Sequence, residues 1–180
     1  MRMNRERSAL WVIDVQDKLL HLIDDWQRVL DGVMWLTAVA RDLRVPVLVS
    51  EQYPKGLGHT HADLLAVAGD AAVVEKVDFS CVEAGCFAGV PHADSEQVVL
   101  CGIEAHVCVM QTALDLAAAG RQVFVVADAI GSRAASDRQL AIERMRTAGV
   151  TIVSREMVCF EWLVRSGSDE FKQISKKYLR

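Results

Sequence analysis

A chain of 180 residues, 52% of them hydrophobic, is long enough to bury a sizeable core as one domain. A net charge of −4, with the basic residues scattered, leaves no electrostatic footprint for a nucleic acid. Asp14 breaks the first apolar stretch after a few residues, too early for a signal peptide or a membrane span, so a soluble cytoplasmic protein is expected.

Ser8–Val15, SALWVIDV, reads as a central strand of a parallel sheet. It carries Asp14 near its end, with Gln16 and Asp17 following, and open α/β sheets place ligands at the C-terminal ends of their strands. From position alone, a helix cap or turn acid fits Asp14 equally well. Trp26–Arg44 predicts a long helix, with Val29, Val33, Leu36, Val39 (or Ala40) and Leu43 on one face. Val47–Ser50 predicts the second strand. Glu51–Thr60, EQYPKGLGHT, is a loop rich in Gly and Pro that leaves at the same sheet edge as Asp14. Glu51, His59 and His61 do not make a metal set, because no further ligand stands at suitable spacing. Asp63–Val67 predicts a short helix and Ala72–Lys76 a third strand. A lysine closing a buried strand needs a partner, although a snorkelling surface lysine gives the same pattern. Cys86–Val90 predicts another short helix.

The chain is organised around Gln97–Ala119. Val98–Cys101 reads as a buried strand, Gly102–His106 as a tight turn, and Val107–Ala119 as a helix. Val107, Met110, Leu114 and Ala117 (or Ala118) share its apolar face. Cys108 falls in the first helical turn, where unpaired backbone N–H groups favour a thiolate and can hold an oxyanion. The commoner fate of a free cysteine is that of a small buried hydrophobe. Gln122–Ala127 then predicts a fifth strand, Gly131–Arg133 a turn, and Asp137–Thr147 a helix capped by Ser136 or Asp137. Val150–Ser154 predicts a sixth strand, and Glu156–Arg165 and Ser168–Leu179 the terminal helices. This alternation defines an α/β protein with a mostly parallel sheet. The five cysteines, Cys81, Cys86, Cys101, Cys108 and Cys159, are odd in number and never spaced CxxC, which points to free thiols in a reducing compartment. Phosphate-loop, dinucleotide and G-x-S-x-G motifs are missing from the sequence.

Taken together, Val12-Ile13-Asp14-Val15-Gln16, Glu75-Lys76 with Asp78-Phe79, and Gly102-Ile103-Glu104-Ala105-His106-Val107-Cys108-Val109 resemble the isochorismatase-like cysteine hydrolases. The resemblance spans about Ser8 to Leu163; only the combination of its three motifs is specific. It implies a three-layer α/β/α Rossmann-like fold around a six-stranded, mostly parallel sheet. It further implies a catalytic triad of Asp14, Lys76 and Cys108. Cys108 would be the nucleophile, Asp14 the proton carrier and Lys76 the group that holds Asp14. The backbone N–H groups of Glu104 and Cys108 would form the oxyanion hole, with a cis Ile103–Glu104 peptide. Glu51-Gln52-Tyr53 stands where metal-dependent nicotinamidases of the superfamily carry Asp-x-His, so no metal and no cofactor are expected. The presence of Cys108 favours hydrolysis of a small amide, carbamoyl or related acyl compound over isochorismate-type ether cleavage. A non-catalytic small-molecule binder or a redox-responsive thiol protein on the same fold are the alternatives. Gln16, Gln52, Tyr53 and Phe79, just past strand ends, are the expected substrate contacts. His106 is a less suitable base than Asp14. Family members form homo-oligomers, and the helices over Trp26–Arg44 and Glu156–Leu179, with Trp35 or Trp162, would supply the contact.

Overall fold

The structure, a computed structural model, describes residues 1–179. Six strands form one all-parallel sheet: β1 Ser8–Ile13, β2 Val47–Gln52, β3 Ala72–Lys76, β4 Gln97–Ile103, β5 Gln122–Gly131 and β6 Thr151–Val153. Their order in space is β3-β2-β1-β4-β5-β6. Starting on β1, the chain steps outward to one edge, returns to β4 beside β1, and steps outward to the other. The switch of direction lies between β1 and β4, where doubly wound sheets open a crevice at their C-terminal ends.

Among the described residues eight α-helices complete the fold: α1 Asp17–Leu20, α2 Trp26–Asp42, α3 Pro54–Leu57, α4 Ala62–Ala68, α5 Met110–Ala118, α6 Ala135–Thr147, α7 Arg155–Leu163 and α8 Asp169–Tyr178. They flank the sheet in a three-layer arrangement. Strand alternation divides the core in two. One side packs Leu10, Val12, Val49, Val99 and Cys101 against Val29, Val33 and Leu36 of α2 and Trp162 of α7. The other packs Trp11, Ile13, Leu48 and Leu100 against Met110, Ala113 and Leu116 of α5 and Met145 of α6.

Several boundaries differ from the sequence reading. β2 runs on through Glu51 and Gln52, so these residues belong to the strand instead of the loop. β5 continues past Ala127 to Gly131, with a register shift opposite Leu100/Gly102. Cys86–Val90 is not a helix. Gly85 and Gly89 take φ of 59° and 78°, in the left-handed region, and the segment folds as successive turns. Trp162, a candidate for an oligomer contact, is fully buried and donates to Ser8 Oγ at 3.3 Å, which removes it from any surface. Trp35 is half-buried against Tyr178 and donates to the Tyr178 carbonyl at 3.2 Å.

Candidate active site

The C-terminal ends of β1, β2, β3 and β4 converge on one buried polar cluster. Asp14 follows β1 with φ 53°, a left-handed conformation that aspartate tolerates better than most residues. Its Oδ2 accepts from Lys76 Nζ at 2.8 Å and its Oδ1 from Ser50 Oγ at 2.7 Å. Both side chains of the Asp14–Lys76 pair are 0% exposed. A pair buried to that depth survives only when its remaining hydrogen-bonding capacity is filled. Here it is. Lys76 Nζ also donates to Gln52 Oε1 at 2.5 Å and the Phe79 carbonyl at 3.0 Å, with the Asp78 carbonyl at 3.3 Å.

Cys108 reaches this cluster from the β4 side. Gly102, near the end of β4, has φ 116°, and a Cβ there would stand 2.1 Å from the Ile13 carbonyl oxygen. Only glycine therefore lets β4 run this close to the end of β1. The Ile103–Glu104 peptide is cis. The chain then makes a π-helical turn, Ala105–Val109, before α5 begins at Met110, so the expected single helix over Val107–Ala119 is divided. π turns of this kind commonly mark functional sites. Cys108 lies within the turn, 5% exposed, with Sγ 3.9 Å from Gln52 Oε1.

Electrostatics at Cys108 run opposite to the expectation of a thiolate. Burial pushes the thiol up, the Asp14 carboxylate pushes it further, and Lys76 opposes both without prevailing. For Lys76, burial alone would lower the pKa, yet the Asp14 carboxylate at 2.8 Å outweighs it and the ammonium is held above its ordinary value. The site thus sets the Asp14–Lys76 ion pair beside a cysteine whose surroundings favour the thiol.

The four expected substrate contacts separate into two kinds. Gln16 is fully buried: Nε2 donates to the carbonyls of Gln52 at 2.9 Å and Gly58 at 2.6 Å, and Oε1 accepts from the Gln52 N–H at 2.7 Å. Gln52 is 7% exposed and engaged with Lys76. Tyr53 and Phe79 are the open ones, 53% and 52% exposed, on either side of the Lys76 strand end. His106 turns toward β5 and α6. Its Nδ1 lies 2.9 Å from Ser132 Oγ and its Nε2 3.9 Å from Asp137 Oδ2. Glu51 accepts from Thr60 N–H at 2.7 Å, Thr60 Oγ1 at 2.8 Å and His59 at 2.9 Å. It ties the loop after β2 to the sheet. Among the described residues no group of three or more His, Cys, Asp or Glu is arranged to hold a metal ion. Ser50 went unrecognised in the sequence; its only signal is a polar residue at the close of an apolar run.

Fold and site together define a three-layer α/β protein whose buried polar groups gather at the C-terminal ends of parallel strands. The isochorismatase domain family matches residues 8–157. The chain belongs to the isochorismatase family, whose members are generally hydrolases. It is 40% identical over 176 residues to the secreted isochorismatase effector Isc1 of Phytophthora sojae, covering 94% of this chain and 83% of the relative. The solved structure of the MAR1 ribonuclease from Caenorhabditis elegans is 35% identical, with a TM-score of 0.89 over 100% of this chain and 93% of that one. The YcaC gene product of Escherichia coli, described as an octameric hydrolase of unknown specificity, shares the fold: TM-score 0.90 at 22% identity, covering 99% of this chain and 91% of that one. Among the described residues no helix is long and apolar enough to cross a membrane.

Proposed function

We propose that the protein is a cysteine-nucleophile hydrolase of a small amide, carbamoyl or related acyl compound, working through Asp14, Lys76 and Cys108. The observation that carries this reading is the fully buried Asp14–Lys76 pair set beside the Cys108 thiol. A paired charge held at such depth, next to a nucleophile, is costly to maintain for stability alone.

Because the surroundings of Cys108 favour the thiol, its proton leaves when substrate is in place. Asp14 takes that proton as Cys108 Sγ attacks the substrate carbonyl. Lys76 keeps Asp14 oriented and offsets the negative charge that develops. The N–H groups of Glu104, just before the π turn, and of Cys108, within it, receive the oxyanion. Asp14 then returns the proton to the departing amine or alcohol. Water attacks the thioester with Asp14 as base, and the acid is released as the thiol is restored. No step uses a cofactor or a metal. Tyr53 and Phe79, both exposed, contact the substrate. The same reading makes the protein a cytoplasmic homo-oligomer.

The test is to follow ammonia or acid release from primary amides, N-carbamoyl compounds and esters, with wild type and Cys108→Ala side by side. Turnover by wild type, reduced at least about 10³-fold by the substitution, is the expected result. Equal turnover by both would overturn it. The neighbour titled a ribonuclease puts a short RNA in the panel; cleavage of RNA with no acyl substrate turned over would overturn the acyl reading. The net charge of −4 makes RNA the weaker candidate.

A further inference from the structure

We propose that Gln52 is a positioning residue of this site: its side-chain amide orients the Lys76 ammonium and holds the Cys108 thiol, and it does not contact the substrate. The inference rests on the reading of Cys108 as the nucleophile and adds a residue to that machinery.

Strand parity places Gln52 where it can act. Along β2, Leu48 packs in the core beneath Cys108, whereas Val47 and Val49 pack in the opposite one. Ser50 and Gln52 follow Leu48 at strand period and meet Asp14 and Lys76; Glu51, between them, meets Thr60. Gln52 is then fixed from both ends. Gln16 grips its main chain twice, through Oε1 and Nε2. Its own Nε2 donates to the Val77 carbonyl at 2.5 Å and its Oε1 accepts from Lys76 at 2.5 Å. This sets the amide orientation without ambiguity, since a flipped amide would turn its NH₂ toward an ammonium and its oxygen toward a carbonyl.

Two consequences follow. Lys76 faces four acceptors with three protons, so none of its protons is spare for a substrate. Gln52 Oε1 has a second lone-pair direction, and the nearest further donor is Cys108 Sγ at 3.9 Å. A carbonyl oxygen beside sulfur favours S–H over S⁻. The titratable groups facing the thiol are Asp14 from β1 and Lys76 from β3, with Cys81, in the turns after β3, acting on Lys76. Burial and Asp14 already hold the thiol up; the Gln52 oxygen works in the same direction.

The experiment measures the rate of Cys108 alkylation by iodoacetamide against pH, with the labelled peptide identified by mass and Cys108→Ala as the blank. Gln52→Met keeps the volume and removes the amide. Gln52→Glu keeps an acceptor toward Lys76 and adds a charge. The alkylation profile is expected to move down by about one pH unit in the first and up by about one in the second. Loosened packing would raise reactivity in both, so opposed shifts separate positioning from structural damage. With a substrate from the panel, Gln52→Met is expected to lower kcat about ten-fold while KM stays within about two-fold. Unmoved profiles, or a raised KM with kcat unchanged, would overturn the proposal. The alkylation readout needs no turnover, so it stands or falls apart from the Cys108→Ala result.

Discussion

Cys101 and Cys108 lie on opposite faces of the same sheet, and the two faces treat a thiol differently. Burial pushes both thiols up. For Cys101, packed among the side chains that meet α2, burial is the whole cause. For Cys108, a carboxylate and an ammonium act on top of it with opposite signs. Depth of burial therefore does not separate an inert thiol from a nucleophile; the neighbours do. The α2 face surrounds Cys101 with apolar side chains. The α5 face, toward the C-terminal strand ends, gives way to a row of buried polar groups, Asp14, Ser50, Gln52 and Lys76.

The contrast can be broken first at its most charged point. Lys76→Met leaves the Asp14 carboxylate in place with its ion partner gone, at an expected cost of about 3–5 kcal/mol in denaturant unfolding, together with loss of turnover. Adding Asp14→Asn should recover part of that stability and none of the turnover. If the double variant is no more stable than the single one, the buried pair is not what the lysine serves. On the other face, Trp162→Ala should cost a comparable 3–5 kcal/mol, or about that, through the cavity it opens. Yet the pH profile of Cys108 alkylation should stay where it is. A shifted profile would show that the two faces are coupled through the sheet.

The fold was legible because parallel strands buried on both faces are written as apolar runs, and all six runs are present. The convergence of Asp14, Lys76 and Cys108 was legible for a related reason: each closes or follows such a run, and a parallel sheet brings strand ends to one edge. What escaped depends on register and depth. Ser50, and the direction in which Gln52 points, follow from the parity of β2, and parity cannot be assigned until the strand is known to extend past Ser50. The push of burial and Asp14 on the Cys108 thiol, against the thiolate that a helix start favours, escaped because a helix start is visible in sequence and the degree of burial is not. The π turn carries no composition that sets it apart from an α-helix, so Val107–Ala119 read as one element. Cys86–Val90 failed as a helix because Gly85 before it and Gly89 within it take left-handed conformations.

The mildest test sits between the two faces, at Glu51. Burial would raise its pKa, but the hydrogen bonds from Thr60 and His59 win and hold the carboxyl below its ordinary value of 4.5. A lowered folded value means the stabilisation is complete above the unfolded value and fades as pH falls through the folded one. His59 is its mirror image. The Glu51 carboxylate holds it above its ordinary value of 6.5, so its share is complete below that and fades as pH rises through the folded value. Both shares are complete together between 4.5 and 6.5 and fade beyond it on either side. Glu51→Gln keeps the shape and removes the charge. The difference in melting temperature between wild type and this variant should therefore peak inside that window, at about 2–4 °C, and shrink toward both acid and alkaline pH. A difference that shrinks toward acid pH but stays flat toward alkaline pH would mean that the tie between β2 and its loop is made by the Thr60 hydrogen bonds alone, with the His59 contact adding nothing.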